Sequence, residues 1–181
     1  VSRAQQEVLR QDGDGRAELF GALAGATPVQ GPGVELVVDD AEDATASDGG
    51  GPRRSSSFSD TGRVRDRDLQ RVVNGLWQAG AEAIAVNGQR LTGLSAIRAA
   101  GDAILVDNKP LAPPHTVLAV GDGEQLSSEF RNTVDGQYLQ VLQENYGIRA
   151  SLTTKDTVRL PAAQSLITRN AEPVRTGEGT S

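Results

Sequence analysis

The chain has 181 residues, of which 37% are hydrophobic and only 3% aromatic, a composition that allows one domain with a core of Val, Leu, Ile and Ala. Its net charge of −6 at pH 7 argues against a nucleic-acid partner, because an acidic surface repels phosphate backbones. The chain contains no Cys, which excludes disulfides, thiolate catalysis and Cys-based zinc sites.

The first part of the chain alternates between structured and polar segments. An apolar stripe at Ala17, Leu19, Phe20 and Leu23 predicts a helix within residues 1–26. The stretch 34–40, VELVVDD, predicts a strand that ends in two carboxylates. Residues 41–62 have almost no apolar content, so burial cannot offset the entropy of ordering them, and we expect an insertion that is disordered.

The clearest element is an amphipathic helix over residues 66–80. Its apolar residues fall at i, i+3, i+4, i+7 and i+8, which places them on one helix face. They are Leu69, Val72, Val73, Leu76 and Trp77.

The remaining elements are shorter and are read mainly from apolar runs and turn residues. We expect one α+β domain over residues 27–172, followed by a flexible tail at 173–181. Within that domain the sequence predicts strands at 83–86 and 89–92, an extended stretch at 95–106, a strand at 115–121, a helix over at least the second half of 126–147, and a strand or hairpin at 148–161.

This order of strand, helix, strands, helix, strand predicts the fold class. It is typical of the split β-α-β plan, in which an antiparallel sheet has helices on one face. The expected fold is therefore α+β and ferredoxin-like, with an additional N-terminal helix.

Three motifs give the chain a family resemblance. They are Asp-Leu…Asn-Gly-Leu-Trp in the helix at 66–80, Gly-Ala-Glu-Ala at 80–83, and Asn-Gly-Gln-Arg at 87–90. In this order and spacing they resemble the bacterial domain-of-unknown-function 881 family, over about residues 30–165. The insertion at 41–62 is longer than the family leads us to expect.

The resemblance implies a setting but no reaction. Proteins of this family have an N-terminal membrane helix and place this domain outside the cytoplasmic membrane, in the envelope of Gram-positive bacteria. They are associated with cell division or wall synthesis, and the Arg-rich composition suits an actinobacterium. Since the chain starts at Val1 and contains no Met, we expect the anchor to precede Val1. The family has no established activity, so the resemblance assigns no catalytic residue.

The stretch Asn87-Gly88-Gln89-Arg90 raises the main question about a site. Asn-Gly is the strongest short signal for a two-residue hairpin turn, which would pair Val86 with Gln89 and leave Arg90 and Ala85 on one face. The turn accounts for Asn87 and Gly88 but does not require the next two residues. Gln89 and Arg90 are therefore candidates to bind a carboxylate or a partner chain, and a bulge in one continuous strand is a further alternative.

Other polar residues give weaker signals. Glu82 is a candidate functional acid, although a carboxylate at a loop can also be exposed or paired with an arginine such as Arg90. The acidic run at 39–43 lacks the spacing of a calcium loop. His115 is the only His, and without Cys partners or a Gly-x-Ser-x-Gly motif it indicates neither a zinc site nor a hydrolase triad. We expect no metal and no cofactor.

Three functions remain in view. The first is a non-catalytic interaction domain of an anchored envelope protein, which binds a protein partner or itself. The second is an extracytoplasmic sensor of a small ligand such as a wall fragment, bound through Gln89 and Arg90. The third is an enzyme that uses carboxylates such as Glu82 and Asp39, which would have to lie within about 5–10 Å in one cleft. The first is the expectation, and the protein is not expected to be an enzyme.

Overall fold

A five-stranded antiparallel sheet with helices packed on it dominates the computed structural model, which describes residues 21, 24–45, 62–93 and 95–164. In chain order the elements are β1 (Val29–Asp39), α1 (Glu42–Thr45), α2 (Asp66–Gln78), β2 (Ala83–Val86), β3 (Gln89–Arg90), β4 (Ile97–Ala100), β5 (Ala103–Val106), β6 (Lys109–Leu111), β7 (His115–Val120), α3 (Gly123–Asn132), α4 (Val134–Tyr146) and β8 (Arg149–Leu160).

The strands form two sheets. The larger has the order β3-β2-β7-β1-β8, and all of its pairs are antiparallel. A smaller sheet, β4-β5-β6, is inserted between β3 and β7. The expected class, a mixed fold with an antiparallel sheet and helices, is confirmed. Within the described ranges no helix has both the length and the apolar character that crossing a membrane requires.

The main core lies between the sheet and the helices. Alternate residues of each strand point to this side, and the apolar stripes of the helices meet them. We call this group the helix-side cluster. Its main members are Val34, Leu36, Val38, Ile84, Val86, Val117 and Ala119 from the sheet, and Leu69, Val72, Leu76, Leu126, Phe130, Leu139 and Leu142 from the helices.

A second, smaller cluster lies on the opposite face of the same sheet. Ile84 and Val86 belong to the helix-side cluster, so Ala83 and Ala85 between them must point the other way. We call this group the open-side cluster. It contains Ala83, Ala85, Val120, Val158 and Leu160.

Close helix contacts depend on Gly75, the glycine of the Asn-Gly-Leu-Trp motif. A Cβ at this position would lie 2.9 Å from the Phe130 ring of α3 and 3.0 Å from Asp135 Cβ of α4. Gly75 is therefore a packing residue, although glycine lowers intrinsic helix propensity. The next residue, Leu76, is completely buried in the helix-side cluster.

A polar cluster also joins α2 to α4. The Tyr138 hydroxyl donates to Asp68 Oδ1 at 2.7 Å, and Arg71 Nε donates to Asp135 Oδ1 at 2.8 Å. The Arg71 guanidinium stacks 3.8 Å from the centre of the Tyr138 ring. Burial, reinforced by the hydrogen bond to Asp68, raises the pKa of Tyr138 above its ordinary value.

Three predicted elements differ in the structure. The stretch 95–106 is not one extended segment, because β4 and β5 form a hairpin that turns at Gly101-Asp102. The helix expected over at least the second half of 126–147 is present as α4, but the first half forms a separate helix, α3, because Thr133 adopts an extended conformation and accepts a hydrogen bond from Gly136 N at 3.0 Å. Residues 42–45, expected to be disordered, form the one-turn helix α1.

The hairpin alternative for 148–161 is wrong, since β8 is one continuous strand. Several other expectations fall mainly or wholly outside the described residues. These are the helix within 1–26, the rest of the insertion at 46–61, and the tail at 173–181.

Candidate functional site

Asn87 and Gly88 form the two-residue turn between β2 and β3. Their φ angles are 46° and 77°, the left-handed region that a type I′ turn needs at both positions. Val86 pairs with Gln89, and Leu91 N donates to Ile84 O at 2.9 Å. The bulge alternative is therefore wrong.

The Asn87 side chain has a second structural role. Its Nδ2 donates to Ala112 O at 3.1 Å, and its Oδ1 accepts from Thr116 N at 2.7 Å. These bonds fix the turn against the chain that leads into β7. The first half of the polar tetrad thus supports the sheet and leaves little of the Asn87 amide for a ligand.

Arg90 lies in the interior. Only 3% of the residue is exposed, and Nη1 donates to Thr27 O and to Pro161 O, each at 3.1 Å. Burial lowers the pKa of its guanidinium below the ordinary value. Since its cation contacts carbonyl groups of the chain's own N- and C-terminal segments, we interpret Arg90 as a structural residue.

Gln89 and Glu82 are not gathered around Arg90. Gln89 is half-buried beside the turn, whereas Glu82 is exposed just before β2, at the end of that strand away from the turn. The Glu82 backbone N donates to Val120 O at 2.8 Å, which closes the sheet at this end. The three candidate residues therefore do not line one cleft.

The carboxylates considered for catalysis are also separated. Val120 pairs with both Gly33 and Ala83, so Ala83 is level with Gly33, six residues along β1 from Asp39. At a rise of about 3.3 Å per residue, Asp39 and Glu82 are roughly 20 Å apart. This pair does not meet the spacing that hydrolysis by two carboxylates requires.

The acidic run at the end of β1 is used to hold chain segments together. Asp40 Oδ1 accepts from Val64 N at 2.8 Å, and Asp39 Oδ2 pairs with Arg149 Nη2 at 2.9 Å. No group of three His, Asp or Glu side chains suitable for a metal occurs among the residues that the structure describes.

His115 borders a small pocket of about 140 Å³ that is partly open to solvent, between the α2 N-terminus and the β4–β5 hairpin. The residue is 2% exposed, and its Nδ1 has no hydrogen-bond partner in the described part of the chain. Burial lowers the pKa of the imidazole, and the negative charges of Asp40 and Asp39 oppose that shift. The cavity is too small for a drug-sized ligand but has room for ordered water.

The most prominent unpaired backbone belongs to β8. This strand of 12 residues is at the edge of the larger sheet and pairs with β1 alone among the described strands. Gln143 Nε2 on α4 donates to Ala150 O at 3.1 Å, so this carbonyl points away from β1 and is bonded there by an amide of the same domain. An edge of this kind can pair with another chain.

A groove of about 350 Å³ runs beside this edge, between α4 and β8. Its floor is apolar, Gln140 and Gln143 form the rim on α4, and Arg131 of α3 adds a charged group to the lining. The apolar residues are Leu36, Phe130, Leu139, Ala150 and Leu152. The sequence predicts the strand but not its place at the edge, because strand order depends on contacts between distant residues.

Comparison with known proteins assigns the family. The family model described as "Bacterial protein of unknown function (DUF881)" matches residues 16–172. The chain belongs to this family. The resemblance predicted from the three motifs is thereby confirmed, and the family itself has no assigned function.

Relatives of the DUF881 chain occur in two groups of Gram-positive bacteria. It is similar to UPF0749 protein Rv1823 of Mycobacterium tuberculosis, with 36% identity over 176 residues, which cover 90% of this chain and 54% of the relative. UPF0749 protein YlxW of Bacillus subtilis is 35% identical over 133 residues, or 74% of this chain and 53% of the relative. The chain thus spans about half the length of these relatives.

A solved structure has a similar fold. The crystal structure of an uncharacterized conserved protein from Mycobacterium tuberculosis superimposes with a TM-score of 0.66 at 27% identity. The match covers 88% of the DUF881 chain and 99% of the solved chain.

Proposed function

We propose that this DUF881 domain is a non-catalytic interaction domain that receives an extended segment of a partner protein at the edge of β8. The observation that carries the proposal is the long edge strand beside an open groove that has an apolar floor and a polar rim. Strand addition supplies affinity through main-chain hydrogen bonds and specificity through alternate side chains. The edge and the groove of β8 provide both elements.

The register of β8 defines the residues that would pair with the added segment. Ala150 O accepts from Gln143 Nε2, so its backbone groups point away from β1. Because backbone direction alternates along a strand, Leu152 and Thr154 would present their N–H and C=O groups to the same free edge. Beyond Lys155 a register shift against Gly31 and Gly33 ends this regular stretch.

The fold assignment that accompanies this proposal is ferredoxin-like. The connectivity β1-α2-β2-β7-α3/α4-β8 and the spatial order β2-β7-β1-β8 support it, because they follow the split β-α-β plan. In this assignment β3 and the sheet β4-β5-β6 are additions between the second and third common strands.

We further propose that the full-length protein is anchored in the cytoplasmic membrane with this domain outside it, in a process of cell division or wall synthesis. The family resemblance supports this placement. Fusion of alkaline phosphatase after residue 164 of the full-length protein tests it, since the enzyme is active only when exported. We expect the phosphatase fusion to be active. The placement would be overturned by an inactive phosphatase fusion together with a fluorescent fusion of a green fluorescent protein at the same position, since that protein fluoresces when it stays in the cytoplasm.

The edge proposal is tested with a photo-crosslinking amino acid at Gln140, on the α4 wall of the groove, in the full-length protein expressed in a Gram-positive host. The protein that carries the crosslinker at position 140 and no other substitution is expected to give one discrete adduct. Thr154→Pro should abolish it, because proline removes a donor that faces the free edge while leaving the β1 ladder intact. The matched control Thr154→Ser retains the donor and should retain the adduct.

The thermal midpoint of each purified domain shows whether folding is preserved. An adduct that persists in a folded Thr154→Pro variant would overturn strand addition, as would the absence of any adduct. Two differently tagged copies in one cell distinguish a partner protein from a second copy of this chain. An adduct that contains both tags would show that the edge binds a second copy of this chain and would overturn the proposal of a partner protein.

A further inference from the structure

The outer face of α2 exposes the only tryptophan of the chain. Trp77 is 40% exposed, and the preceding Leu76 and Gly75 are buried in packing contacts. Asn74, one turn earlier on the same face, is exposed as well. The Asn-Gly-Leu-Trp motif is therefore divided between two residues that hold the helix in place and two that face outward.

Trp77 and Asn74 border a groove of about 420 Å³ between α2 and the chain that follows β3. Its apolar surface includes Val73 and Leu91, both almost completely buried. Thr92 and Ser95 line the opposite wall with hydroxyl groups. The volume lies within the usual range for small-molecule sites, about 300–1,000 Å³.

Hydrogen bonds connect the walls of this groove and brace one of them. Gln70 Nε2 on α2 donates to Ile97 O at 2.6 Å, which ties the helix to the opposite wall. Thr92 N donates to Ser95 Oγ at 2.8 Å, and Ser95 Oγ donates to Asp107 Oδ2 at 2.9 Å. A groove whose walls are held in this way loses less conformational entropy on binding.

The groove differs from the rest of the surface in charge. Charged residues make up 23% of the chain, yet none of the described residues that line this groove is charged. Its polar groups are amides and hydroxyls, and the Asn74 amide has no hydrogen-bond partner among the described residues. This lining offers no cation to an acidic peptide or a phosphate, and no carboxylate to a basic ligand.

We propose that this groove binds a pyranose ring of a neutral glycan. A pyranose has an apolar face of C–H groups, which the negative π face of an indole attracts, and a rim of hydroxyls that pair with amides and hydroxyls. Trp77 supplies the indole and Asn74 the free amide. The Thr92 and Ser95 hydroxyls are already bonded to each other and to Asp107, so they shape the opposite wall. This site is separate from the β8 edge and does not depend on the proposed strand addition.

The single tryptophan provides the direct test. The purified domain is titrated with neutral hexamers of N-acetylglucosamine and of glucose while the intrinsic fluorescence is recorded. Saturable quenching or a blue shift with at least one hexamer is expected, because the ring covers the only indole. No saturable change with either hexamer up to millimolar concentration would overturn the proposal.

Variants locate the binding site by calorimetry with the hexamer that binds. Trp77→Ala and Asn74→Ala should each weaken affinity about tenfold or more, a loss typical of a stacking contact or a well-placed hydrogen bond. The matched control Val134→Ala alters a residue on α4 that is 71% exposed and outside the groove, and should bind as the parent does. Circular dichroism establishes that each variant is folded.

Equal affinity in a folded Trp77→Ala variant would overturn the assignment of the groove. A loss of the Gln140 crosslink in Trp77→Ala, without any glycan affinity in the parent, would instead make this face part of a protein interface. The glycan proposal and the edge proposal can therefore fail independently.

Discussion

The two faces of the five-stranded sheet are closed by different means. On the helix side, large apolar residues from α2, α3 and α4 cover the strands. On the open side, the cluster consists mainly of small residues, and a buried arginine binds the two terminal segments across it. The comparison shows that one sheet can have a large apolar cluster on one face and a small one on the other.

A local irregularity makes the smaller face possible. The register between β1 and β8 shifts between Gly31 and Gly33, and an extra residue on one strand changes which side chains point to each face. Leu152 packs on the helix-side cluster, whereas Val158 and Leu160, beyond the shift, join the open-side cluster. One strand thereby contributes to both cores.

The largest effect is expected on the helix side. Leu76→Ala removes a completely buried side chain and leaves a cavity, so the free energy of unfolding should fall by about 2–5 kcal/mol. Urea unfolding followed by circular dichroism measures this change. The control Val141→Ala, at a residue 44% exposed, should change it by no more than about 0.5 kcal/mol. Similar values for the two variants would contradict the view that burial in the helix-side cluster supplies this stability.

A smaller and more local effect is expected on the open side. Arg90→Ala leaves the carbonyls of Thr27 and Pro161 without their donor, which should cost about 1–3 kcal/mol. The loss should loosen the terminal segments first, so hydrogen exchange should accelerate at Ala163 N, which donates to Gly25 O, before it changes in β7.

The matched control is Arg98→Ala, because Arg98 is exposed and, among the described residues, bonds a surface amide alone, that of Asn108, at 2.7 Å. It should unfold and exchange as the parent does. If Arg90→Ala accelerates exchange equally throughout the sheet, Arg90 supports the whole domain and the two faces are not independent.

The same contrast shows which parts of the fold the sequence could predict. The spacing of the apolar residues of α2 predicts this helix without any information from the rest of the chain. The dipeptide Asn87-Gly88 likewise predicts the β2–β3 turn. The two missed boundaries also have local signals. Gly101-Asp102 is a hairpin dipeptide, and Thr133 followed by Gly136 places a capping residue at a helix start. Capping and turn chemistry within a few residues therefore suffices to place both boundaries.

The open side and the candidate sites depend on contacts that no local pattern contains. Arg90 bonds carbonyls 63 and 71 residues away along the chain, so its burial could not be read from the tetrad. The edge position of β8 depends on how all five strands are ordered. The sequence could not predict the exposure of Trp77, because a residue at i+8 of an apolar stripe is expected in the core.

The smallest effect is expected at His115, which lies on the helix side but borders a polar cavity. Because burial lowers its pKa from the ordinary 6.5, the folded state favours the neutral imidazole. That preference stabilises the fold above pH 6.5 and is lost as the pH falls below 6.5 toward the pKa of the folded state. Asp40 and Asp39 favour the charged form, which limits the loss. Urea unfolding between pH 8 and 5 should therefore show a decline in the parent that is weaker in His115→Gln, whereas parallel curves would mean that this cavity keeps the imidazole as well solvated as water does.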